Sequence, residues 1–271
     1  MLPEFLNDKN TIFHYTKAIT AIKYILPEKS LLYSPRNSSH DPLENKEIII
    51  SKSIAISDSK IEESTKNDSH MIYDLIRKRM NTNNQISFCF NEISKIHCEY
   101  GYKKSRMWNQ YGDNFKGACL AFNKQELLKN STINLWDKVE YIPYDKFEND
   151  YLDIYSNDLS KYGRKEYKEN RISLSNYLLF RKHLDFRDEC EFRIINFGQP
   201  QHISIEPSLL GIIVCGNIIS TKNFIGLKKF AKYLNVPLID VNFSHSGCNV
   251  VVEPNNDYLE KYFQIIRPYK S

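Results

Sequence analysis

The apolar positions change period along the chain, and those changes mark alternating strands and helices. Thr11 to Tyr15 is expected as a strand, and Thr16 is placed to cap a helix whose stripe is Ile19, Ile22, Ile25 and Leu26, ending near Pro27. Leu31 to Ser34 returns to strand. Met71, Ile72, Leu75, Ile76 and Met80 have helical spacing, Ile86 to Phe90 predicts a strand, and Ser105 to Tyr111 predicts a short helix stopped by Gly112. Gly117 to Phe122 and Lys138 to Ile142 are further strands. A helix from about Glu169 to His183 carries Leu174, Leu178 and Leu179 on its apolar side. Strands at Glu191 to Phe197 and Leu209 to Cys215, a helix from Thr221 to Leu234 and a strand from Pro237 to Phe243 complete the pattern.

Polar stretches separate these elements. Residues 35–44 hold turn-forming Asn37 and Asp41-Pro42, and the serine-rich stretch from Lys52 to Asn67 is expected to be mobile. Residues 144–168, rich in Asp, Lys and Tyr, read as a surface insertion, and 254–271 as a tail with one short amphipathic helix at most. No internal repeat appears. The alternation predicts a single α+β domain over residues 1–271.

Composition narrows the function classes only a little. The 37 basic and 33 acidic residues leave +4, without a basic stripe that would argue for a nucleic-acid groove. A weak attraction for anionic ligands is what this supports. The 6 cysteines are scattered with no C-x-x-C pair, so they read as reduced, buried thiols of a cytoplasmic protein. No run reaches membrane-spanning length and no leader pattern opens the chain, so no membrane partner is expected.

The chemistry concentrates in Phe180 to Ile195. In an extended segment side chains alternate, so Glu189 and Glu191 are expected on one face and Cys190 and Phe192 on the other. Two carboxylates beside Lys182, Arg187 and Arg193 form an electrostatic site, although an edge strand with a solvated charged face would use the same residues. His14-Tyr15-Thr16 lies where the first strand meets the first helix, a place suited to an anionic or ribose-bearing ligand. A histidine held by a neighbouring carbonyl is the structural alternative. Ser34-Pro35-Arg36-Asn37 and Asp41 to Glu44 form a second polar cluster that turn chemistry also explains. Trp108 and Tyr111 are three apart on a helical face, with Asn114 and Lys116 beyond, as a stacking wall with polar anchors requires; core packing is the other reading. His97-Cys98 is an isolated pair. No Gly-rich phosphate loop, H-E-x-x-H pair or G-x-S-x-G elbow occurs.

Several of these blocks, taken in order, resemble a bacterial family catalogued as domain of unknown function 2971. They are Phe13-His14-Tyr15-Thr16, Ser34 through Asp41-Pro42-Leu43-Glu44, Ser87-Phe88-Cys89-Phe90, Met107 to Gly112 with Phe115-Lys116-Gly117, and Lys182 with Glu189-Cys190-Glu191-Phe192-Arg193. The resemblance runs from about Thr11 to Val252. His40 stands where the family usually has Asn, and Phe186 where it tends to have Trp.

A second, weaker resemblance is to the ADP-ribosyltransferase-like fold. It implies a central mixed or antiparallel sheet split around a cleft, with flanking helices, and NAD as substrate with no metal. Carried over, Glu191 is the catalytic carboxylate, Glu189 orients the acceptor and Lys182 completes the catalytic set. His14 is the ribose contact, and Tyr15, Thr16, Ser34, Arg36, Trp108, Tyr111 and Arg193 are the other contacts to the dinucleotide. Arg36, Lys182 or Arg193 would neutralise the pyrophosphate. The implied activity is ADP-ribosyl transfer to protein, nucleic acid or water, as in a transferase or an NAD glycohydrolase acting as a toxin or phage-defence effector. A catalytically silent nucleotide-sensing module is the alternative reading, and a metal-independent nuclease the third.

Overall fold

Strands that are apolar on both faces must be covered on both, and this chain does so with helices on each side of a central sheet. The computed structural model describes residues 3–36, 50–53, 63–94, 98–144, 146, 152–155, 159, 161–245 and 247–252. Its main sheet has nine strands: β1 (Thr11–Thr16), β2 (Ser34–Pro35), β3 (Asn83–Phe90), β4 (Ala118–Asn123), β5 (Leu135–Lys138), β6 (Glu191–Phe197), β7 (Leu209–Val214), β8 (Leu238–Ser244) and β9 (Gly247–Val252). In space the order is β9-β8-β7-β4-β1-β3-β6-β5, with β2 added beside β3. Only β7 and β8 run parallel, joined through a helix, so the sheet is mixed, as expected.

Three long helices are α1 (Glu63–Asn81), α2 (Arg164–Leu179) and α3 (Thr221–Tyr233). α3 starts on Ser220, whose hydroxyl accepts from the Asn223 N–H, and buries Phe224, Leu227 and Ala231 at helical spacing. With the helical run 18–28, whose middle turn Ala21–Ile25 is π-helical, it covers one face of the sheet over Ile12, Ile86, Phe88 and Ile194. On the opposite face Phe13, Tyr15, Cys119 and Ile213 pack around Trp108 and Tyr102, and Ile195 meets α1 and α2.

The element order matches the periodicity, while several boundaries differ. The helix expected at about 169–183 begins at Arg164 and ends at Leu179, and Arg181–His183 is a strand paired parallel with Glu140–Ile142. Lys138 to Ile142 is two strands rather than one, and a strand not anticipated, β9, opens on Gly247, whose φ of 122° suits glycine. Of the stretch expected to be mobile, Lys52 and Ser53 end the strand Ile50–Ser53, and residues 63–67 belong to α1. That strand pairs with Leu152–Tyr155, so part of the expected insertion joins a ribbon. Residues 37–49, the sites of Asn37, His40 and Asp41 to Glu44, lie outside the described residues, as do His97 and 253–271. All 6 cysteines are free, but Cys98 is exposed and Cys248 half-buried, so only four are the buried thiols expected.

One junction in the sheet is incomplete. β1 pairs with β4 over six residues, and β6 with β3 over seven, whereas β1 and β3 share only Ile12–Phe90 and Phe13–Cys89. Past Phe13 the two strands part. β2 then takes the same edge of β3 further along, at Gln85 and Asn84. Between the two ladders Ser87 is the one exposed residue in an otherwise buried or half-buried strand.

Trp108 supports this opening from below. It is fully buried, its Nε1 donates to the Tyr102 carbonyl at 2.8 Å, and its ring meets Tyr15 edge-on at 5.2 Å. The chain must then turn tightly: a Cβ at Gly112 would lie 2.7 Å from the Trp108 carbonyl oxygen, so glycine is needed there for close approach. Trp136, on β5, is half-exposed. Trp108→Ala should therefore lower unfolding stability by about 3–5 kcal/mol and Trp136→Ala by about 1 kcal/mol or less, measured by denaturant titration of both variants.

Candidate active site

The two glutamates reach the same place by a route different from simple alternation. Glu189 is the last residue of a 3-10 helix, Leu184–Glu189, and Cys190 bridges to β6 with φ 43° and ψ 56°, in the left-handed region. Glu191 is the first residue of β6. The left-handed residue turns both carboxylates onto one ammonium: Lys182 Nζ lies 2.7 Å from Glu189 Oε2 and 3.3 Å from Glu191 Oε2. Lys182 is held at the middle of the Arg181–His183 strand, opposite Tyr141, whose hydroxyl accepts the Glu191 N–H at 2.9 Å.

Arg193 completes the group. Two residues on in β6, it forks onto Glu191, Nε to Oε1 at 2.8 Å and Nη2 to Oε2 at 3.0 Å, while its Nη1 donates to the Leu179 carbonyl at 2.7 Å. Ser87 Oγ donates to Glu191 Oε1 at 2.5 Å, and Tyr111 OH to Glu189 Oε1 at 3.1 Å. Glu189, Glu191, Lys182 and Arg193 are all between 1% and 4% exposed. A solvated edge strand is therefore excluded: β6 is interior, between β3 and β5. Arg187 is not part of the cluster, since its side chain is 71% exposed.

The two carboxylates differ in acidity. Burial raises the pKa of both, but for Glu191 the Arg193 fork and Lys182 outweigh it and bring the value down to about 2. For Glu189 burial dominates; Lys182 opposes it, the Glu191 charge reinforces it, and its pKa ends above the usual carboxylate range. One group is thus held ionised and the other made easier to protonate, the separation that acid and base roles require.

His14 sits across the gap. Its Nδ1 lies 3.0 Å from the Ser87 carbonyl, so that nitrogen carries the proton and Nε2 keeps a lone pair. Burial lowers its pKa, against this hydrogen bond, and favours the neutral ring. The anticipated structural alternative, a histidine satisfied by a carbonyl, is thus part of the answer: the contact also fixes the tautomer.

A cavity of about 590 Å³ follows the opening between β1 and β3. His14, Tyr15, Thr16, Ser34, Tyr111, Lys182, Glu189 and Glu191 all border it. His14 and Glu191 nevertheless leave the sheet on opposite faces, because His14 shares its face with Ile12 and Leu120, and Glu191 shares the other with Cys89. The cavity passes through the sheet. One arm is polar, with Ser87, Tyr111 and the glutamates; the other is mainly apolar, lined by Tyr24, Ile25 and Leu32, and ends at Glu28 and His202.

Three expected contacts fall elsewhere. Trp108 lies beneath Tyr15 rather than in the wall, since it is needed to fill the core. Arg193 is behind Glu191, and Arg36, at the end of β2, does not border the cavity. Because Lys182 and Arg193 are engaged by the glutamates, they are not placed to neutralise a pyrophosphate. Sequence reasoning gave no role to Ser87 or Gln85, nor to the apolar arm. The alternation of β3, which puts Gln85, Ser87 and Cys89 on one face, carried a signal for the first two. On the far side of Cys190, the ligand atoms of Glu92, Glu99 and Cys190 lie within 4.8 Å of one another, but Lys104 Nζ is 2.5 Å from Glu99 and takes the place a cation would need.

Residues 107–194, which contain both the tryptophan block and the glutamate pair, match the family model described as Protein of unknown function (DUF2971). The match covers about a third of the chain. No curated protein and no solved structure matches. The matched segment supplies Tyr111, Lys182, Glu189, Glu191 and Arg193, while His14 and Ser87 come from the preceding part of the chain. Among the described residues no helix is long and apolar enough to cross a membrane.

The carboxylates give the fold a signed pH dependence. Glu191, with a folded pKa of about 2 against an ordinary 4.5, adds stability above that ordinary value and loses it as pH falls towards 2. Glu189, raised in the fold, acts oppositely, costing stability as pH climbs above its unfolded value. Thermal melts across the acid range should show a steep loss below about pH 4.5 in the wild type and a shallower one in Glu191→Gln.

Proposed function

We propose that the cleft binds NAD and breaks its nicotinamide–ribose bond, in the manner of an ADP-ribosyltransferase or an NAD glycohydrolase. The observation that carries this reading is the buried Glu191 carboxylate, kept ionised by Arg193 and braced by Ser87, in a cavity that also holds His14. The opening between β1 and β3 supports the corresponding split-sheet fold.

The chemistry suits the charges. As the glycosidic C–N bond breaks, nicotinamide leaves with the bonding pair and the ribose gains oxocarbenium character. A fixed carboxylate in a dry site stabilises that developing cation far better than water does. Glu189, more readily protonated, orients the acceptor and takes its proton on transfer, whereas attacking water gives its proton to solvent, and Lys182 couples the two carboxylates. His14 Nε2 accepts from a ribose hydroxyl. Such turnover of cellular NAD would suit an effector of the toxin or phage-defence kind.

One observation favours the silent nucleotide-sensing module instead. Both Glu191 oxygens are already occupied, by the Arg193 fork, Ser87 and Lys182, as in a group whose task is structural. Binding of NAD without nicotinamide release would select that reading.

The experiment compares nicotinamide release and ADP-ribose transfer in the wild type and two variants. Glu191→Gln should lower release by about 100-fold or more, and Glu189→Gln should spare hydrolysis while impairing transfer. Because Glu191 is buried against two cations, Glu191→Gln should also cost about 3–5 kcal/mol of stability, so rates are compared below its melting temperature. Equal release by wild type and Glu191→Gln would overturn the enzymatic reading.

A further inference from the structure

We propose that Gln85 reads the carboxamide of the nicotinamide ring, an assignment that rests on the dinucleotide reading above. Gln85 is in β3, 8% exposed, and borders the cavity. Its Oε1 is buried and, among the described residues, has no hydrogen-bond partner. Buried polar atoms are almost always satisfied, so an orphan acceptor on a residue that borders a cavity marks where a side-chain rotation would meet a ligand donor.

The position selects the kind of donor. Gln85 lies two residues from Ser87 on the same face of β3, about 7 Å along the strand from the residue that braces Glu191. If ribose C1′ sits against Glu191, its aromatic substituent extends along that face towards Gln85. A primary carboxamide offers one N–H donor and one carbonyl acceptor side by side, and a glutamine side chain offers the complement, so two parallel hydrogen bonds form. The adenine end then passes His14 into the apolar arm on the opposite face of the sheet, away from Gln85.

An analogue isolates this contact. In 3-acetylpyridine adenine dinucleotide a methyl group replaces the amide NH2, so shape and carbonyl remain but the donor is gone. Dissociation constants are measured for the full-length wild type and Gln85→Met with NAD, with this analogue and with the hypoxanthine analogue, which alters only the adenine. The wild type should bind NAD about 10-fold more tightly than the acetylpyridine compound, and Gln85→Met should bind both alike. The wild-type comparison needs no variant to fold, and equal affinity there would overturn the assignment. So would a preference that survives in Gln85→Met, or one that Gln85→Met removes for the hypoxanthine analogue instead, which would place adenine at Gln85. Failure of the wild type to bind NAD at all would overturn the dinucleotide reading as well, which keeps the two failures distinct.

Discussion

Four charges removed from water hold this structure to its shape. Lys182, Arg193, Glu189 and Glu191 come from three adjoining elements, and each buried ion would cost several kcal/mol if left unpaired. The penalty is offset only while the Arg181–His183 strand, the 3-10 turn and the start of β6 keep their places. The left-handed conformation of Cys190 is a consequence, since an extended residue there would carry Glu189 away from Lys182. A well-packed apolar group of the same volume would often be as stable as such a cluster.

That cluster faces an opening kept by competition for one edge. The backbone of β3 needs partners, and β1 and β2 each supply only part of them. Where neither reaches, the His14 ring donates to the Ser87 carbonyl in place of a strand. The sheet can then part without leaving that carbonyl unsatisfied, and the cavity passes between its faces. Tyr15 is the hinge between this opening and the core: its hydroxyl donates to the Gly101 carbonyl at 2.6 Å and its ring rests on Trp108.

The loop that follows Trp108 is bent to serve the same packing. Asp113, Asn114 and Phe115 all have φ between 52° and 67°, an unfavourable conformation for residues with a Cβ. It is held because Phe115 N–H donates to the Trp108 carbonyl at 3.0 Å and the Phe115 ring meets Phe243 of β8 edge-on at 5.3 Å. Asn114 and Lys116 therefore serve the turn, not the cavity wall, which explains why the stacking wall read from this block is only partly realised, through Tyr111.

Much of this was legible in the residues themselves. Helical and strand periods place β1, β3, β4 and β6 and the three long helices, because one or both faces of each must be apolar. The spacing of Glu189 and Glu191 and the position of His14 at a strand end marked the site. What the residues leave open is which charge meets which. A segment as charged as Lys182 to Arg193 reads equally well as a wetted edge, and only the covering of β6 by β5 and the 140–142 ribbon makes it interior. Arg193 alternates onto the face of Glu191 and so binds it rather than a ligand, and the apolar arm from Tyr24 to Leu32 joins His202 across a distance no local pattern spans. Local sequence determines period and turn because these are short-range steric and solvation effects; burial, pairing and acidity depend on neighbours brought together by the fold, and only the tertiary structure decided them.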